Sequence, residues 1–237
     1  EHPQTSQPSP GDYRRVYEFL GSHFPEVITV SLSRAVSGTW QAASNAAERV
    51  QGNIIVVDSR SVSVGQGLVA MAAAEYAAAG YRGDALLDEV QQAVERTQSF
   101  GMVTDLTWGV RGGRVPAWQK RVAEFFGIVP ILTMTEQGEL RPTRIARRKG
   151  DLLAAMAKHV ARKARGSGPK RVSIGHAGAP EKAARLASLL RGRLGEVESV
   201  SVVQVGATLG SHGGIGTLVV AVQDYRAPEP KETSPPE

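Results

Sequence analysis

The stretch that decides the fold is Ser31–Val50, SLSRAVSGTWQAASNAAERV, where a predicted strand turns into a predicted helix. A β-branched run just before this stretch predicts the strand, and a helix is expected over Ser37–Val50. Ser37, Gly38 and Thr39 stand at the start of that helix, where hydroxyls and bare N–H groups meet the positive end of the helix dipole. Such a start suits a phosphate or a carboxylate, and it is also typical of an ordinary N-cap that holds no ligand.

Strands and helices alternate on both sides of this stretch. A helix capped by Asp12 is expected before it. The continuous apolar run Ile54–Asp58 after it is typical of a strand that is buried on both faces of a parallel sheet. Helices are expected next over Gly65–Ala79 and Asp84–Ser99. This alternation predicts an α/β layer architecture.

The second half of the chain has a different pattern, which starts with a candidate strand at Gly101–Thr104. The further predicted elements are a hairpin of Val129–Met134 with Glu139–Arg141, a helix at Asp151–Ala164, a strand at Arg171–His176, a helix at Pro180–Arg191, and strands at Val197–Val205 and Thr217–Val222. We therefore predict an N-terminal α/β domain over residues 1–98, a C-terminal α/β domain over residues 99–226, and a disordered tail over residues 227–237.

Composition narrows the function classes. The 237 residues are 41% apolar and 22% charged, as in soluble globular proteins, and the longest apolar run is too short to span a bilayer. Cysteine is absent and the five histidines lack metal-ligand spacing, so no disulfide and no metal site are expected. Glycine motifs for nucleotide phosphates and for a nucleophilic serine are absent too. A cytoplasmic location is expected.

Much of the positive charge lies in Arg141–Arg171, within a chain whose net charge is +5. This stretch contains no aromatic residue, so the stacking platform of a single-strand nucleic-acid binder is missing and no nucleic-acid partner is expected. A solvated helix face explains these charges most simply. Attraction to an anionic lipid surface or to an acidic partner is the alternative.

Five further stretches accompany the SGTW motif in order: TSQPSPGD at 5–12, IIVVDSRSVSVGQG at 54–67, RGGRVPAW at 111–118, VPILTMTEQGELRP at 129–142 and GSHGGIGTLVV at 210–220. With these motifs the chain resembles the DegV family from about Thr5 to Val222. The resemblance implies a two-domain fold, with a parallel α/β N-terminal domain, an α+β C-terminal domain, and the ligand between them. The family usually begins with a further strand that this sequence lacks, so the first domain is expected to be incomplete at its start.

The function implied by the resemblance is that of an acyl carrier in phospholipid metabolism. Members of the family bind a long-chain fatty acid in a buried tunnel and present its carboxylate to a separate fatty acid kinase, which binds the ATP. The implied partners are the fatty acid, the kinase subunit and, transiently, a membrane surface. The chain itself would not be an enzyme, and it would need no cofactor besides its bound fatty acid.

The resemblance assigns the fatty-acid carboxylate to Thr5 and Ser37, with Gly38 and Thr39 as further donors. A carboxylate that loses its water beside an acyl chain needs such donors. Two hydroxyls and a helix start can supply them without a counter-ion. The alternative is that all four are ordinary turn and cap residues.

Other site residues follow from the same resemblance. Arg147 and His212 match positions that the family uses at its kinase-facing surface, and we expect both to lie apart from the carboxylate. The loop after His212 reads Gly-Gly-Ile-Gly, where the family usually has Thr-Gly-Pro-Gly. Candidates for the tunnel lining, which a plain core would also explain, are Arg114, Trp118, Phe125, Phe126 and Ile131.

Two other function classes remain open. Ser37 with His212 would suit a serine-dependent hydrolase or another anion-processing enzyme. A regulatory binding module without a kinase partner is the second class. Acyl esters discriminate the hydrolase from the carrier, because a carrier releases no product from them.

Overall fold

The computed structural model describes residues 3–113 and 115–231 and places them in two α/β layers. The first layer contains α1 (Pro10–His23), β1 (Val27–Ser31), α2 (Thr39–Ala47), β2 (Ile54–Asp58), α3 (Val64–Ala78) and α4 (Gly83–Arg96). The second layer contains β3 (Thr97–Met102), α5 (Thr107–Arg111), α6 (Ala117–Phe125), β4 (Ile128–Met134), β5 (Leu140–Arg147), α7 (Leu152–Lys163), β6 (Lys170–His176), α8 (Pro180–Arg191), β7 (Val197–Gln204), α9 (Ala207–Gly213) and β8 (Leu218–Asp224).

The first sheet is a parallel pair of β1 and β2, which run in register from Val27 opposite Ile54 to Ser31 opposite Asp58. One face of the pair packs on the tyrosines of α1 and the alanines of α2. The other face, centred on Val57, packs on α3 and α4. Burial between helices on both faces explains why β2 is a continuous apolar run rather than an alternating one.

The second sheet has six strands in the order β5-β4-β3-β8-β6-β7. Strands β6 and β7 are parallel, and the other neighbouring pairs are antiparallel. Helices α7 and α8 cover one face and bury the main core, which includes Ile131 and Met156. On the other face, Val64 and Leu68 of α3 pack against β8. Because α3 also packs on the first sheet, it is the helix that the two layers share.

Polar contacts tie the two layers together beside α3. The buried Arg171 guanidinium of β6 pairs with the half-buried Glu75 of α3 at 2.9 Å. The same guanidinium lies 4.1 Å from the ring centroid of Tyr225. The Ser33 hydroxyl, after β1, donates to the backbone carbonyl of Gly138 at the tip of the β4–β5 hairpin, at 2.7 Å. The loops of the first layer are thus fixed against the second.

Most predicted elements are confirmed, with shifted ends. The limits of β2 and α8 are those predicted, and the predicted hairpin exists, although β5 continues to Arg147. The prediction that a helix begins at Ser37 is wrong, because Gly38 takes the N-cap position. The prediction that Asp12 caps the first helix is also wrong. Ser9 is the N-cap, and the carboxylate of Asp12 completes a capping box with it.

Three helices have no counterpart among the predicted elements: α5, α6 and α9. The strand β3 also differs from the prediction, because it begins at Thr97 and not at Gly101. Backbone pairing with β8 starts at Thr97 opposite Gln223 and ends the preceding helix at Arg96. The division that we predicted between residues 98 and 99 therefore lies within β3.

The last described residue, Lys231, contacts the segment that follows α3. The backbone N–H of Lys231 donates to the carbonyl of Ala79 at 2.8 Å, and its ammonium lies 4.8 Å from the ring centroid of Tyr81. The tail that we predicted to be disordered begins at residue 227. Within its described part, Lys231 makes these two contacts just after the end of α3, and residues 232–237 lie outside the described residues.

Candidate functional site

A hydrogen bond joins the beginning of the chain to α9. The Thr5 Oγ1 lies 2.8 Å from the Nε2 of His212, although 207 positions separate the two residues in sequence. Thr5 belongs to the extended segment that precedes the Ser9 cap of α1, and His212 lies in the last turn of α9. The structure therefore brings the first and the last of the sequence motifs into direct contact.

The start of α2 lies beside the same segment. A Cβ at Gly38 would collide with the side-chain amide of Gln7, so the glycine leaves room for this flexible side chain on the helix start. The Ser37 hydroxyl accepts from the Thr39 backbone N–H at 3.3 Å and pairs with the Thr39 hydroxyl at 2.9 Å. Through Gln7 and Thr5, the segment before α1 links the α2 start to His212.

Helix α5 supports His212 from the second layer. A Cβ at Gly112 would lie 2.5 Å from the Nδ1 of the His212 ring, and a Cβ at Gly214 would collide with the Trp108 indole. Gly214 has a φ of 75°, a conformation that favours glycine. Helices α5 and α9 thus approach each other closely because Gly112 faces the His212 ring and Gly214 faces the Trp108 indole. The histidine ring is confined between Thr5 and Gly112.

This arrangement corrects one prediction and leaves another open. His212 was expected to lie apart from the carboxylate-binding residues, but its ring contacts Thr5. The reason is that α9, which the sequence pattern does not predict, turns the GSHGG segment toward the beginning of the chain. Arg147, the other residue assigned to the kinase-facing surface, ends β5 with an exposed side chain.

The candidates for the tunnel lining are not brought together. Ile131 is fully buried in the core between the second sheet and helices α7 and α8. By contrast, Trp118, Phe125 and Phe126 of the α6 region are 63%, 84% and 67% exposed. Ile131 thus packs with the helices of the second layer, and the three aromatic side chains are exposed, so the assignment of these residues to a tunnel stays a prediction. Arg114 lies outside the described residues.

Two broader features concern cofactors and membranes. Within residues 3–113 and 115–231, no group of three or more histidine and acidic side chains is placed to hold a metal ion. No helix in the described part of the chain is long and apolar enough to cross a membrane.

Sequence reasoning missed the residues that assemble this site. Gln7 and Gly112 were quoted within motifs, but their roles depend on contacts that a sequence does not display. The signal that could have pointed to them is the glycine content of SGT, RGGR and GSHGG, because glycine allows another chain segment to approach closely. Fold and site together define a two-domain α/β protein whose hydroxyl, imidazole and helix-start cluster suits a carboxylate or another oxyanion.

Known proteins agree with this class. The family profile described as "Uncharacterised protein, DegV family" matches residues 1–224. A DegV domain-containing protein of Streptomyces coelicolor is 32% identical over 219 residues, which cover 92% of this chain and 77% of the relative. The chain belongs to the DegV family.

Solved structures extend the comparison to three dimensions. A fatty-acid-binding DegV family protein of Thermus thermophilus superposes with a TM-score of 0.85 at 28% identity, covering 94% of this chain and 79% of that one. A DegV family protein of Ruminococcus gnavus, solved with vaccenic acid, superposes with a TM-score of 0.79 at 26% identity, covering 92% and 78% of the two chains.

Proposed function

We propose that this chain binds one long-chain fatty acid and holds its carboxylate at the Thr5–His212 contact, beside the start of α2. The observation that carries the proposal is the 2.8 Å hydrogen bond between Thr5 and His212, made by a segment that also rests on Gly38. Similar DegV proteins bind fatty acids, one of them vaccenic acid, which supports this choice among oxyanions.

The chemistry of the cluster suits a carboxylate that is removed from water. The hydroxyls of Thr5 and Ser37 can each donate one hydrogen bond, and the N–H groups at the start of α2 add a positive dipole end. In one tautomer, or when protonated, the His212 ring donates from Nε2 to Thr5 Oγ1, which leaves the Thr5 hydrogen for the carboxylate. A hydrogen bond to a charged group contributes about 1.5–3 kcal/mol, so two or three such donors can hold a buried carboxylate.

As part of the same proposal, the chain is a cytoplasmic acyl carrier for a separate fatty acid kinase and not itself an enzyme. Arg147 is exposed at the end of β5 and presents a planar fork that fits phosphate oxygens. We assign Arg147 to the kinase-facing surface. We assign His212 a contact with the fatty-acid carboxylate and, after phosphorylation, with the phosphate of the acyl phosphate. A phosphoryl group needs such positioned donors because its charge is spread over several oxygens.

The exposed aromatic side chains of the α6 region supply the transient membrane contact in this proposal. Trp118, Phe125 and Phe126 project into solvent, and Val122 between them is 43% exposed. Lys120 and Arg121 lie on the same helix. A helix with aromatic and basic side chains fits the interface of an anionic bilayer, from which a fatty acid would be taken.

The hydrolase alternative is less well supported. The described hydrogen bonds of Ser37 go to Thr39, whereas the His212 ring contacts Thr5. A serine nucleophile would need the imidazole as its base within hydrogen-bond distance. A regulatory module that binds the same fatty acid without a kinase differs from the carrier only in its partner.

The experiment is native mass spectrometry of the purified chain, followed by acid extraction of its ligand and incubation with acyl esters. We expect one long-chain fatty acid per chain and no release of product from the esters. Well-folded protein that neither retains nor takes up a fatty acid would contradict the proposal. Ester turnover that is lost in Ser37→Ala would establish the hydrolase instead.

A further inference from the structure

A cavity of about 460 Å³ lies away from the proposed fatty-acid site. It opens where the loop after β2 meets the beginning of β3, the end of β4 and the C-terminal end of α7. Its walls are formed by Ser59, Arg60, Ser61, Val94, Glu95, Thr97, Gln98, Ser99, Phe100, Thr133, Met134, Thr135, Glu136, Thr143, Lys163 and Arg165. Neither Thr5, Ser37 nor His212 belongs to this set, so the cavity is a separate feature.

The loop that forms one wall is held in an unusual conformation. Arg60 and Ser63 have positive φ values of 49° and 55°, which few residues other than glycine adopt. The Asp58 carboxylate fixes the loop by accepting from the Arg60 backbone N–H at 2.8 Å. The loop follows the carboxyl end of a parallel strand, the edge at which open α/β sheets bind ligands.

Most hydroxyl hydrogens of the wall are already used within the protein. Ser61 and Ser99 pair with each other at 2.7 Å. Thr97 donates to Ala93, and Thr133 donates to the Ser99 carbonyl. The donors left for a ligand are therefore mainly the charged side chains at the mouth.

Three of these charged side chains are cations and two are acids. Arg165 is fixed by Glu136 at 2.9 Å, whereas Arg60 and Lys163 form no ion pair with any described residue. Glu95 is the remaining acid of the wall. The two cations without an ion pair exceed this one acid. They leave the mouth with an excess of positive charge.

The buried His159 gives a second sign of positive potential at this end of α7. Its ring packs edge-to-face on Phe100, a wall residue, with 5.9 Å between the centroids. Burial, and after it the cations Arg162, Arg144 and Lys163, lower the pKa of His159. The cations that act on the histidine include one that lines the cavity.

We propose that this cavity binds a small, multiply charged oxyanion, such as a phosphate ester or a polycarboxylate, through Arg60, Lys163 and Arg165. An acyl chain does not fit, because the apolar side chains of the wall are confined to Val94, Phe100 and Met134. A volume of about 460 Å³ falls within the range of small-ligand pockets.

The test is isothermal titration of the full chain with citrate and with glucose 6-phosphate, at constant ionic strength, with neutral glucose for comparison. We expect saturable binding of at least one anion and no binding of glucose. Binding of citrate would indicate a polycarboxylate ligand, and binding of glucose 6-phosphate would indicate a phosphate ester. Arg60→Gln and Lys163→Gln should each weaken binding tenfold or more. Lys158→Gln, which removes the same charge from an exposed position of α7, should change it less than twofold.

The proposal is overturned if neither anion binds, or if Lys158→Gln weakens binding as much as Lys163→Gln. Fatty-acid binding should be unchanged in all three variants, so this test is independent of the proposed carrier function. Loss of the fold in a variant is detected by its circular dichroism. In that case, sulfate is added to the wild-type chain as a competitor. Sulfate should weaken the binding of the anion, and unchanged binding would overturn the proposal.

Discussion

At the scale of single residues, the proposed site consists of donors that face one carboxylate. Ser37→Ala and Thr5→Val each remove one hydroxyl from a charged group, at about 1.5–3 kcal/mol per hydrogen bond. Affinity for a fatty acid should fall about ten- to a hundredfold for each change, at 1.4 kcal/mol per tenfold. Titration with a fatty acid and with the matching fatty alcohol measures this. If the affinities for the acid and the alcohol fell equally, the hydroxyls would support the fold and not bind the carboxylate.

His212 and Arg147 form a matched pair for a second prediction. Because the His212 ring contacts Thr5, His212→Ala should weaken fatty-acid binding about tenfold, since the Thr5 hydroxyl loses the partner that orients its hydrogen toward the carboxylate. Arg147→Ala should leave binding within about twofold, below roughly 0.5 kcal/mol. Both variants should lose acyl phosphate formation with a cognate kinase and ATP. Unchanged fatty-acid affinity in His212→Ala would show that the histidine does not contribute to the carboxylate site.

Gly112 provides a third prediction, which concerns the position of the His212 ring. A Cβ at residue 112 would lie 2.5 Å from the ring, so Gly112→Ala should displace it and weaken fatty-acid binding. Gly210→Ala, on α9 itself, is the control, because a Cβ there meets nothing within 4 Å. Imidazole NMR signals of His212 should shift in the first variant and stay in the second. Identical spectra in both would show that the ring tolerates the methyl group.

At the scale of elements, the pH dependence of stability tests the packing of α7. The pKa of His159 lies below its ordinary value of 6.5, so the folded state stays neutral where the unfolded state binds a proton. The unfolded state therefore binds more protons below about pH 6.5, and stability should fall as the pH falls through that value. Melting temperatures of wild type and His159→Gln between about pH 7.5 and 5.5 measure the effect.

The control for that measurement is His23→Gln, which changes an exposed histidine at the end of α1. The slope of melting temperature against pH should flatten in His159→Gln and persist in His23→Gln. A wild-type slope in His159→Gln would show that other groups cause the acid sensitivity.

The limits of the helices and strands show which parts of the fold could be predicted from the sequence. The limits of β2 and α8 were predictable, because a continuous apolar run and a Pro-led amphipathic helix are each bounded by clear breakers. Helices α5 and α9 were not, since short segments such as TWGVR and ATLGSHG offer less than two turns of periodicity. The start of β3 was missed because pairing with β8, a contact across more than a hundred residues, ends the preceding helix.

At the scale of the whole molecule, the site exists only where both layers meet. Thr5 and Ser37 come from the first layer, while His212 and Gly112 come from the second. The resemblance to the DegV family assigned Thr5, Ser37 and His212, but it did not reveal that Thr5 and His212 touch. A hydrogen bond across 207 positions depends on the packing of α3 between the sheets, which local patterns do not encode.

In the proposed complex, a fatty-acid carboxylate lies among Thr5, Ser37 and His212. Carbon-13 NMR of palmitic acid labelled at its carboxyl carbon, bound to the delipidated chain, tests this most directly. We predict one bound carboxyl resonance, distinct from free acid, that shifts in Ser37→Ala and in His212→Ala but not in Lys158→Gln. A bound resonance at the same position in all four proteins, or no bound resonance at all, would contradict the claim.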